Sequence, residues 1–146
     1  MLAELVVVFA VLYTIQICIF AIGAHKAQYS NDPSYRPTVS VIIAARNEEQ
    51  NIRPCLESVS RLTYPRDLLE IVVVNDRSTD KTQPIIREFS DKFHFIKLHN
   101  ATEDNSSHLK GKTNAVTQGI DVTRGEVILF TDADCIVPDG WVEETV

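Results

Sequence analysis

The 146-residue sequence has few cysteines, and nowhere does it cluster basic residues. Cys18, Cys55 and Cys135 lack the CxxC and CxxH spacings of zinc sites, and an odd number does not suit a closed set of disulfides. We interpret them as buried apolar thiols in a reducing compartment. The formal net charge is −6, and without a run of Lys or Arg the chain lacks the surface that nucleic-acid binding requires.

Several catalytic patterns are absent as well. No Walker or Rossmann glycine pattern is present, which excludes a P-loop and a dinucleotide site. No Ser-His-Asp or Cys-His order supports nucleophilic hydrolysis, and the histidines lack metal-ligand spacing. With 45% hydrophobic and 23% charged residues, the chain has the composition of a folded protein rather than of a disordered one.

Charge is missing from residues 5–24, a run long enough to cross a hydrocarbon core of about 30 Å. We expect residues 1–24 to form a single transmembrane anchor. A secretory signal is one alternative, with Ala21-Ile22-Gly23 as a cleavage site, but the residues before the run include Glu4 and no basic residue. A buried core helix is the other.

The charges that flank this run predict its orientation. Lys26 and Arg36 follow it, and no Lys or Arg precedes it. The positive-inside tendency therefore predicts a short external N-terminus, with residues 25 onward in the cytoplasm. Residues 25–37, which include two prolines, are predicted to be a juxtamembrane linker, and residues 38–146 a folded domain.

Beyond residue 38, short apolar runs alternate with segments of helical spacing. The runs at residues 39–45 and 69–74 are predicted as strands buried on both faces, and the first is rich in β-branched residues. Residues 93–98, in which apolar and polar residues alternate, are predicted as a third strand, and residues 126–131 as a fourth. Strands separated by helices predict βαβ units, and hence an α/β fold with a parallel sheet flanked by helices.

The intervening segments are predicted as helices. Asn47 is expected to cap the first, with Gln50 completing a capping box, although Pro54 delays or bends its start. Asp80 is expected to cap the second, and the third covers residues 111–122. The residues expected to face the core are Ile52, Cys55, Leu56, Val59, Leu62, Ile85, Ile86, Phe89, Ala115, Val116 and Ile120. The polar segment 99–108 is expected to be a mobile loop.

Polar residues stand where three of the predicted strands end. Open parallel sheets bind ligands beyond the carboxyl ends of their strands. Ala45-Arg46, Asn75-Asp76 and Asp132-Ala133-Asp134 all fall at such ends. We therefore expect these segments to converge on one crevice.

Asp132 and Asp134 are spaced so that their side chains can project to the same side of the strand end. Two adjacent carboxylates repel each other, and Mg²⁺ or Mn²⁺ would compensate. An isolated Asp-x-Asp is more often a solvated turn. Lys112, at a predicted helix start, pairs a cation with free backbone donors and so suits a phosphate, although an exposed lysine explains it equally well.

Two candidate residues follow the first and second strands. The Asp76 carboxylate can accept a hydrogen bond from a base imide nitrogen or from ribose hydroxyls. Arg46 can stack on a base or contact phosphate. Glu48 and Glu49 are also the residues that any helix N-terminus favours.

Together these segments resemble the family 2 glycosyltransferases. The matching segments are VSVIIAARNEE (39–49) with Asn51-Ile52, CLES (55–58), IVVVNDRSTD (71–80), GKTNA (111–115) and TDAD (131–134). The match runs from about residue 38 to the end. The occurrence of these motifs in the family's order makes the resemblance specific.

The resemblance implies a GT-A fold of the Rossmann-like kind and inverting, metal-dependent transfer from a nucleotide-sugar, with a UDP-sugar expected. It implies that Asp76 holds the base and that Ala44 and Arg46 line the base pocket. It also implies that Lys112 lies near the nucleotide, that Asp132 contacts ribose or a metal-bound water, and that Asp134 ligates Mg²⁺ or Mn²⁺. The substrate-binding candidates are Ala44, Arg46, Glu48, Asp76, Lys112 and Asp132, and the metal candidates are Asp134 and Asp132.

The chain departs from the family pattern in two places. Asn75-Asp76 stands where the family usually has two aspartates, which leaves the base contact on Asp76. The family's catalytic base lies well downstream of the Asp-x-Asp, so we expect the base and acceptor site beyond Val146 and the chain alone to be inactive. Two alternatives are a non-catalytic nucleotide-binding fragment and a nucleotidyltransferase, which usually carries a glycine-rich basic loop after its first strand.

Overall fold

A computed structural model describes residues 2–26, 35–102 and 110–146. The chain divides into two compact units, Met1–Tyr35 and Arg36–Val146. The elements in chain order are α1 (Leu2–Lys26), β1 (Val39–Ala45), α2 (Ile52–Ser60), β2 (Leu69–Asn75), α3 (Thr82–Lys92), β3 (Ile96–Asn100), α4 (Lys112–Val122), β4 (Val127–Asp132) and α5 (Trp141–Thr145).

The first unit contains the apolar helix α1. Its segment Glu4–Gly23 has 20 residues with a mean hydropathy of 2.7, and its side chains are exposed. The hydroxyl of Thr14 donates to the Ala10 carbonyl at 2.8 Å, which satisfies this polar group within the helix. By length and composition α1 is able to cross a membrane, a property that signal sequences and some core helices share.

The second unit is built on a sheet of four parallel strands in the order β3-β2-β1-β4. The register places Val39 opposite both Leu69 and Val127. The sequence prediction of a parallel sheet flanked by helices is confirmed. Because the strands run in one direction, their carboxyl ends lie at the same edge, where Ala45 pairs with Asn75 and Ala44 pairs with Asp132.

Both faces of β1 and β2 are buried under helices. Val41 and Ile43 belong to a core that includes α2 and α3, whereas Ile42 belongs to the core under α4. Each such buried side chain stabilises the fold by roughly 1.5–3 kcal/mol. On α4, a Cβ at Gly119 would lie 2.9 Å from Ile42 Cγ2 and 3.0 Å from Val74 Cγ2, so this glycine lets the helix pack closely on the sheet.

Helix α2 begins later than the sequence predicts. The capping box of Asn47 and Gln50 is wrong, because Asn47 has φ 55°, in the left-handed region, rather than the extended backbone of a cap. Asn51 precedes the helix instead, without a side-chain cap bond, and Ile52 is its first residue. Pro54 thus falls in the first turn, where a helix tolerates proline.

Strand β3 also starts later than predicted, at Ile96 rather than at residue 93. Phe93 terminates α3, and its ring lies 5.8 Å from the ring of Phe95. Phe93 and Phe95 belong to the end of a helix and to a turn, and the apolar pattern of the sequence did not distinguish them from the strand that follows. Residues His99 and Asn100, predicted as loop, belong to β3, and residues 103–108 of that predicted loop lie outside the described residues.

Two further predictions need correction. Ile120, expected to face the core, is 41% exposed, because Ala115 and Gly119 form the face of α4 that contacts the sheet. Cys135 and Cys18 are exposed, so only Cys55 fits the interpretation of buried thiols, and all three are free. Burial raises the pKa of the Cys55 thiol to about 12.

Candidate functional site

A cleft of about 260 Å³ lies at the carboxyl edge of the sheet. It is formed by the segments that follow β1, β2 and β4, together with the start of α4. Its lining residues are Ala44, Ala45, Arg46, Glu48, Asp76, Lys112, Asp132, Ala133 and Asp134. Every substrate-binding and metal candidate taken from the sequence lies in this set, so the predicted convergence on one crevice occurs.

At one end of the cleft, Asp76 is only 3% exposed. A buried carboxylate is costly unless it is paired, and here two arginines pair with it. Arg77 Nε donates to Oδ1 at 3.0 Å, and Arg46 Nη1 lies 3.6 Å from Oδ2. The backbone N–H of Asp76 donates to the Ala45 carbonyl at 2.8 Å. The carboxylate is therefore fixed in position while it lines the cleft.

At the other end, Lys112 lies close to the end of β4. Its Nζ donates a hydrogen bond to the Asp132 carboxylate, and this bond is the main reason that the pKa of Lys112 is raised. The two side chains are 65% and 56% exposed, so the pair contributes little to stability and is free to open. Lys112 thus supplies a mobile positive charge at the N-terminus of α4.

Asp134 is an exposed carboxylate two residues beyond Asp132, and both line the cleft. Within the parts of the chain that the structure describes, no group of three or more His, Cys, Asp or Glu side chains is arranged to hold a metal. Zinc, which takes three or four protein ligands, does not fit this donor set. Mg²⁺ and Mn²⁺ fit it, because such hard cations use one or two carboxylates and complete their coordination with water and substrate phosphates.

The loops after β1 and β2 are joined by hydrogen bonds. The backbone N–H of Glu48 donates to Thr82 Oγ1 at 2.7 Å, and that of Glu49 donates to Asp80 Oδ2 at 3.1 Å. In return, Glu49 Oε2 accepts from the Lys81 N–H at 3.0 Å. These contacts fix the backbone of Glu48, the candidate at the rim of the cleft.

The cap position of α3 is Lys81 rather than the predicted Asp80, although the Asp80 side chain accepts a hydrogen bond in the first turn as a cap residue does. The Oδ1 atom of Asp80 accepts this bond from the Thr82 N–H at 3.0 Å. Partial burial acts to raise the pKa of this carboxyl, but the hydrogen bonds from Thr82 and from the Glu49 N–H outweigh it, and the pKa is lowered.

Sequence reasoning missed the parts played by Asn47 and Arg77. Both have positive φ, 55° and 54°, and both hold the loops around Asp76. Asparagine is enriched in left-handed backbone, which is the one signal that the sequence carried. The sequence pattern gave no indication of a role for Arg77, because its contact with Asp76 depends on the left-handed backbone that Arg77 adopts.

The comparisons with known proteins bear on this site. Residues 40–146 match the family model described as "Glycosyl transferase family 2". The chain belongs to this family. Among curated family 2 relatives it is 47% identical over 98 residues to the "Probable glycosyltransferase YdaM" of Bacillus subtilis, an alignment that covers 67% of this chain and 23% of the relative.

Two solved structures of family 2 relatives are similar to the chain. One is the mannosyltransferase PcManGT from Pyrobaculum calidifontis in complex with GDP-Man and Mn²⁺, with TM-score 0.67 and 34% identity, covering 76% of this chain and 31% of that one. The other is S. aureus TarS in complex with UDP, with TM-score 0.64 and 29% identity, covering 74% of this chain and 30% of that one. The GT-A fold and the glycosyltransferase class predicted from sequence are confirmed. The chain spans between about a quarter and a third of the length of these relatives.

Proposed function

We propose that this chain is the donor-binding half of an inverting glycosyltransferase whose cleft holds the nucleotide diphosphate of a UDP-sugar. The observation that carries the proposal is the polarity of the cleft. A buried carboxylate held by two arginines lies at one end, and an exposed carboxylate pair with a lysine lies at the other. In a nucleotide-sugar, the ribose separates a base that donates hydrogen bonds from a diphosphate, and the diphosphate fits beside the carboxylate pair when a divalent cation and Lys112 supply positive charge.

The base is assigned to the end that contains Asp76. A fixed carboxylate accepts the imide N–H of uracil, and its burial strengthens a charge-assisted hydrogen bond. Arg46 keeps 56% of its side chain exposed while it pairs with Asp76, which leaves a planar face for stacking on the base. Ala44 contributes a small side chain that leaves room for the ring.

The diphosphate is assigned to the end that contains Asp132 and Asp134. These carboxylates would hold Mg²⁺ or Mn²⁺, with Asp134 as the direct ligand and Asp132 on the ribose or a metal-bound water. A bound cation supplies positive charge that stabilises the departing diphosphate. Lys112 adds a second positive charge, and the N–H groups at the start of α4 add donors. The relatives solved with GDP-Man and Mn²⁺ and with UDP support a nucleotide ligand.

The domain organisation is part of the proposal. Residues 1–24 form a membrane anchor, residues 25–37 a linker and residues 38–146 the donor-binding domain. The hydropathy of α1 and the positions of Lys26 and Arg36 support an anchor that leaves this domain in the cytoplasm. Protease protection in sealed vesicles tests the orientation, since a cytoplasmic domain is degraded only from the cytoplasmic side.

The central test is calorimetry of UDP binding to the full-length protein with Mn²⁺ and again with a chelator. We expect Asp134→Asn to weaken Mn²⁺-dependent binding at least about tenfold, since it removes a charged ligand. Asp139→Asn is the matched control, because Asp139 is 57% exposed and pairs with Arg61 outside the cleft lining.

If Asp134→Asn binds UDP and Mn²⁺ as tightly as the parent, the pair is a solvated turn and the proposed function fails. Tighter binding of GDP than of UDP would reassign the base while leaving the site in place.

A further inference from the structure

We propose that Asn47 is a positioning residue for the nucleotide: it locks the loop after β1 to the loop after β2 and so fixes the two arginines that hold Asp76. The proposal rests on the proposed function, because it concerns the base end of the same cleft. Asn47 itself is not among the residues that line the cleft. Its effect on the ligand is therefore exerted through its neighbours.

Asn47 forms three hydrogen bonds across the two loops. Its backbone N–H donates to Ser78 Oγ at 3.1 Å. Its side-chain Oδ1 accepts from the Thr79 N–H at 2.9 Å and from Thr79 Oγ1 at 3.3 Å. One residue thus binds the opposite loop through both its backbone and its side chain.

These bonds lie directly beside the arginines. Arg46 is held on one side by Ala45, whose carbonyl accepts the Asp76 N–H at 2.8 Å, and on the other side by Asn47. Arg77 is held in the same way between Asp76 and Ser78. Because the backbone is fixed before and after each arginine, both side chains leave the backbone at defined positions, from which their guanidinium groups reach the Asp76 carboxylate.

The backbone geometry supports a functional constraint. Asn47 and Arg77 both adopt left-handed backbone, with φ 55° and 54°. Such conformations cost energy in residues other than glycine and persist where the surroundings determine them, often at ligand sites. Each loop has one such residue. Asn47 lies next to Arg46, which pairs with the Asp76 carboxylate, and Arg77 pairs with that carboxylate directly.

The helices that follow the two loops, α2 and α3, are joined by a contact that lies away from Asn47. Arg53 on α2 forms a two-pronged pair with Glu88 on α3, at 3.0 Å and 2.7 Å, outside the cleft lining. This pair provides a matched control. If Asn47 served only to hold α2 and α3 together, loss of the Arg53 pair would have the same effect on the ligand as loss of the Asn47 contacts.

Three substitutions separate the contributions of Asn47. Asn47→Gly keeps the left-handed backbone and removes the acceptor, whereas Asn47→Asp keeps an acceptor oxygen in a residue that tolerates this backbone. Asn47→Ala loses both. Calorimetry of the full-length protein with UDP and Mn²⁺ should show an affinity loss of about tenfold for Asn47→Gly, a larger loss for Asn47→Ala, and a value within about threefold of the parent for Asn47→Asp.

Two further measurements show where any loss arises. The affinity for Mn²⁺ alone, measured by titration at the Asp132 and Asp134 end, should be the same in Asn47→Gly as in the parent. Arg53→Ala removes an exposed pair outside the cleft lining and should bind UDP as the parent does. Ser78→Ala removes the acceptor for the Asn47 N–H and should weaken UDP binding even if Asn47→Gly fails to fold.

The possible outcomes are distinct. A parent protein that binds neither UDP nor Mn²⁺ overturns the proposed function. A parent that binds both, with Asn47→Gly or Ser78→Ala binding UDP equally well, overturns the positioning role alone. Equal losses of UDP affinity in Asn47→Gly and Arg53→Ala overturn it too, because they reveal general loosening of the loops.

Discussion

Lys112, the first residue of α4, donates a hydrogen bond from its Nζ to the carboxylate of Asp132, the last residue of β4. The ammonium group thus neutralises one of the two carboxylates proposed to hold a divalent cation. A cation that binds near Asp132 meets a positive charge already there. Lys112 and the proposed metal would therefore compete for the carboxylate, although both would attract the proposed diphosphate.

This competition predicts opposite effects of one substitution. Lys112→Met should tighten the binding of Mn²⁺ alone by a few-fold, since it removes a competing charge, and should weaken the binding of UDP in the presence of Mn²⁺ by about tenfold. The metal requirement for UDP should remain, because lysine acts on phosphate as a separate point charge. Lys110→Met, two residues away and outside the cleft lining, is the control. Unchanged Mn²⁺ affinity in Lys112→Met would show that the pair has no influence on the metal site.

Asp76 offers a test of the base end. Asp76→Asn keeps the size and one acceptor oxygen but removes the charge, so UDP affinity should fall about tenfold, and Asp76→Leu should lower it further. The cost in stability should be small, since both paired arginines are partly exposed and can turn to water. Asp121→Asn, on an exposed position of α4, should leave UDP affinity unchanged. Equal UDP affinity in Asp76→Leu and the parent would rule out a base contact at this carboxylate.

Glu70 predicts a pH dependence of stability. Burial acts to raise the pKa of its carboxyl, but hydrogen bonds from Lys97 Nζ, Ser40 Oγ and the Arg124 N–H, each 2.6 Å long, outweigh this and the pKa is lowered from 4.5. A carboxyl with a lowered folded-state pKa stabilises the fold above its unfolded-state pKa, and this contribution is lost as the pH falls through the folded-state pKa.

The variant Glu70→Gln should therefore be less stable than the parent at neutral pH, and the difference should shrink as the pH falls from about 5 to about 3. Thermal unfolding of the full-length protein at a series of pH values measures it. Glu57→Gln, at an exposed position of α2, should follow the parent throughout. A constant difference between Glu70→Gln and the parent over this range would contradict the expectation.

Gly125 predicts a steric effect at the opposite edge of the sheet. A Cβ there would lie 2.5 Å from the Ser40 backbone nitrogen and 2.8 Å from the Val39 carbonyl carbon, and backbone atoms cannot move aside cheaply. Gly125→Ala should destabilise the domain by about 2 kcal/mol in denaturant unfolding. Gly140→Ala, whose Cβ would have no neighbour within 3.4 Å, should change stability by less than about 0.5 kcal/mol. Similar effects at both glycines would contradict this account.

The central strands β1 and β2 could be predicted because a strand buried on both faces has a continuous apolar sequence. β1 and β2 are continuous runs of apolar, mostly β-branched residues, and their predicted bounds agree with the structure to within a residue. β3 lies at the edge of the sheet, and only its first residue, Ile96, is buried. The apolar Phe93 and Phe95 before it therefore led to a predicted start three residues too early.

The lining of the cleft was predictable for a related reason. Charged residues that directly follow apolar strands must lie at the sheet edge, and that placement brings Arg46, Asp76 and Asp132 together. The hydrogen bonds between the two loops could not be predicted from the sequence, because Asn47 forms them with residues more than 30 positions away. A short polar residue ahead of a helical pattern predicts a cap by local rules, and only the three-dimensional contact shows that its backbone is left-handed.

The position of β1 in the sheet also bears on how the cleft assembles. β1 pairs with β2 across a sequence separation of 30 residues but with β4 across 88. Closing the longer loop costs more chain entropy, and β4 is only partly buried whereas β1 and β2 are almost fully buried. The end of the cleft proposed to hold the base, made from β1 and β2, is thus expected to form from neighbouring pieces of chain, and the end proposed to hold the diphosphate is expected to be completed only when β4 docks. In the native protein the same asymmetry should let β4 open first, so its amide hydrogens should exchange with solvent before those of β2, and a bound nucleotide with its cation, which spans both ends, should slow that opening.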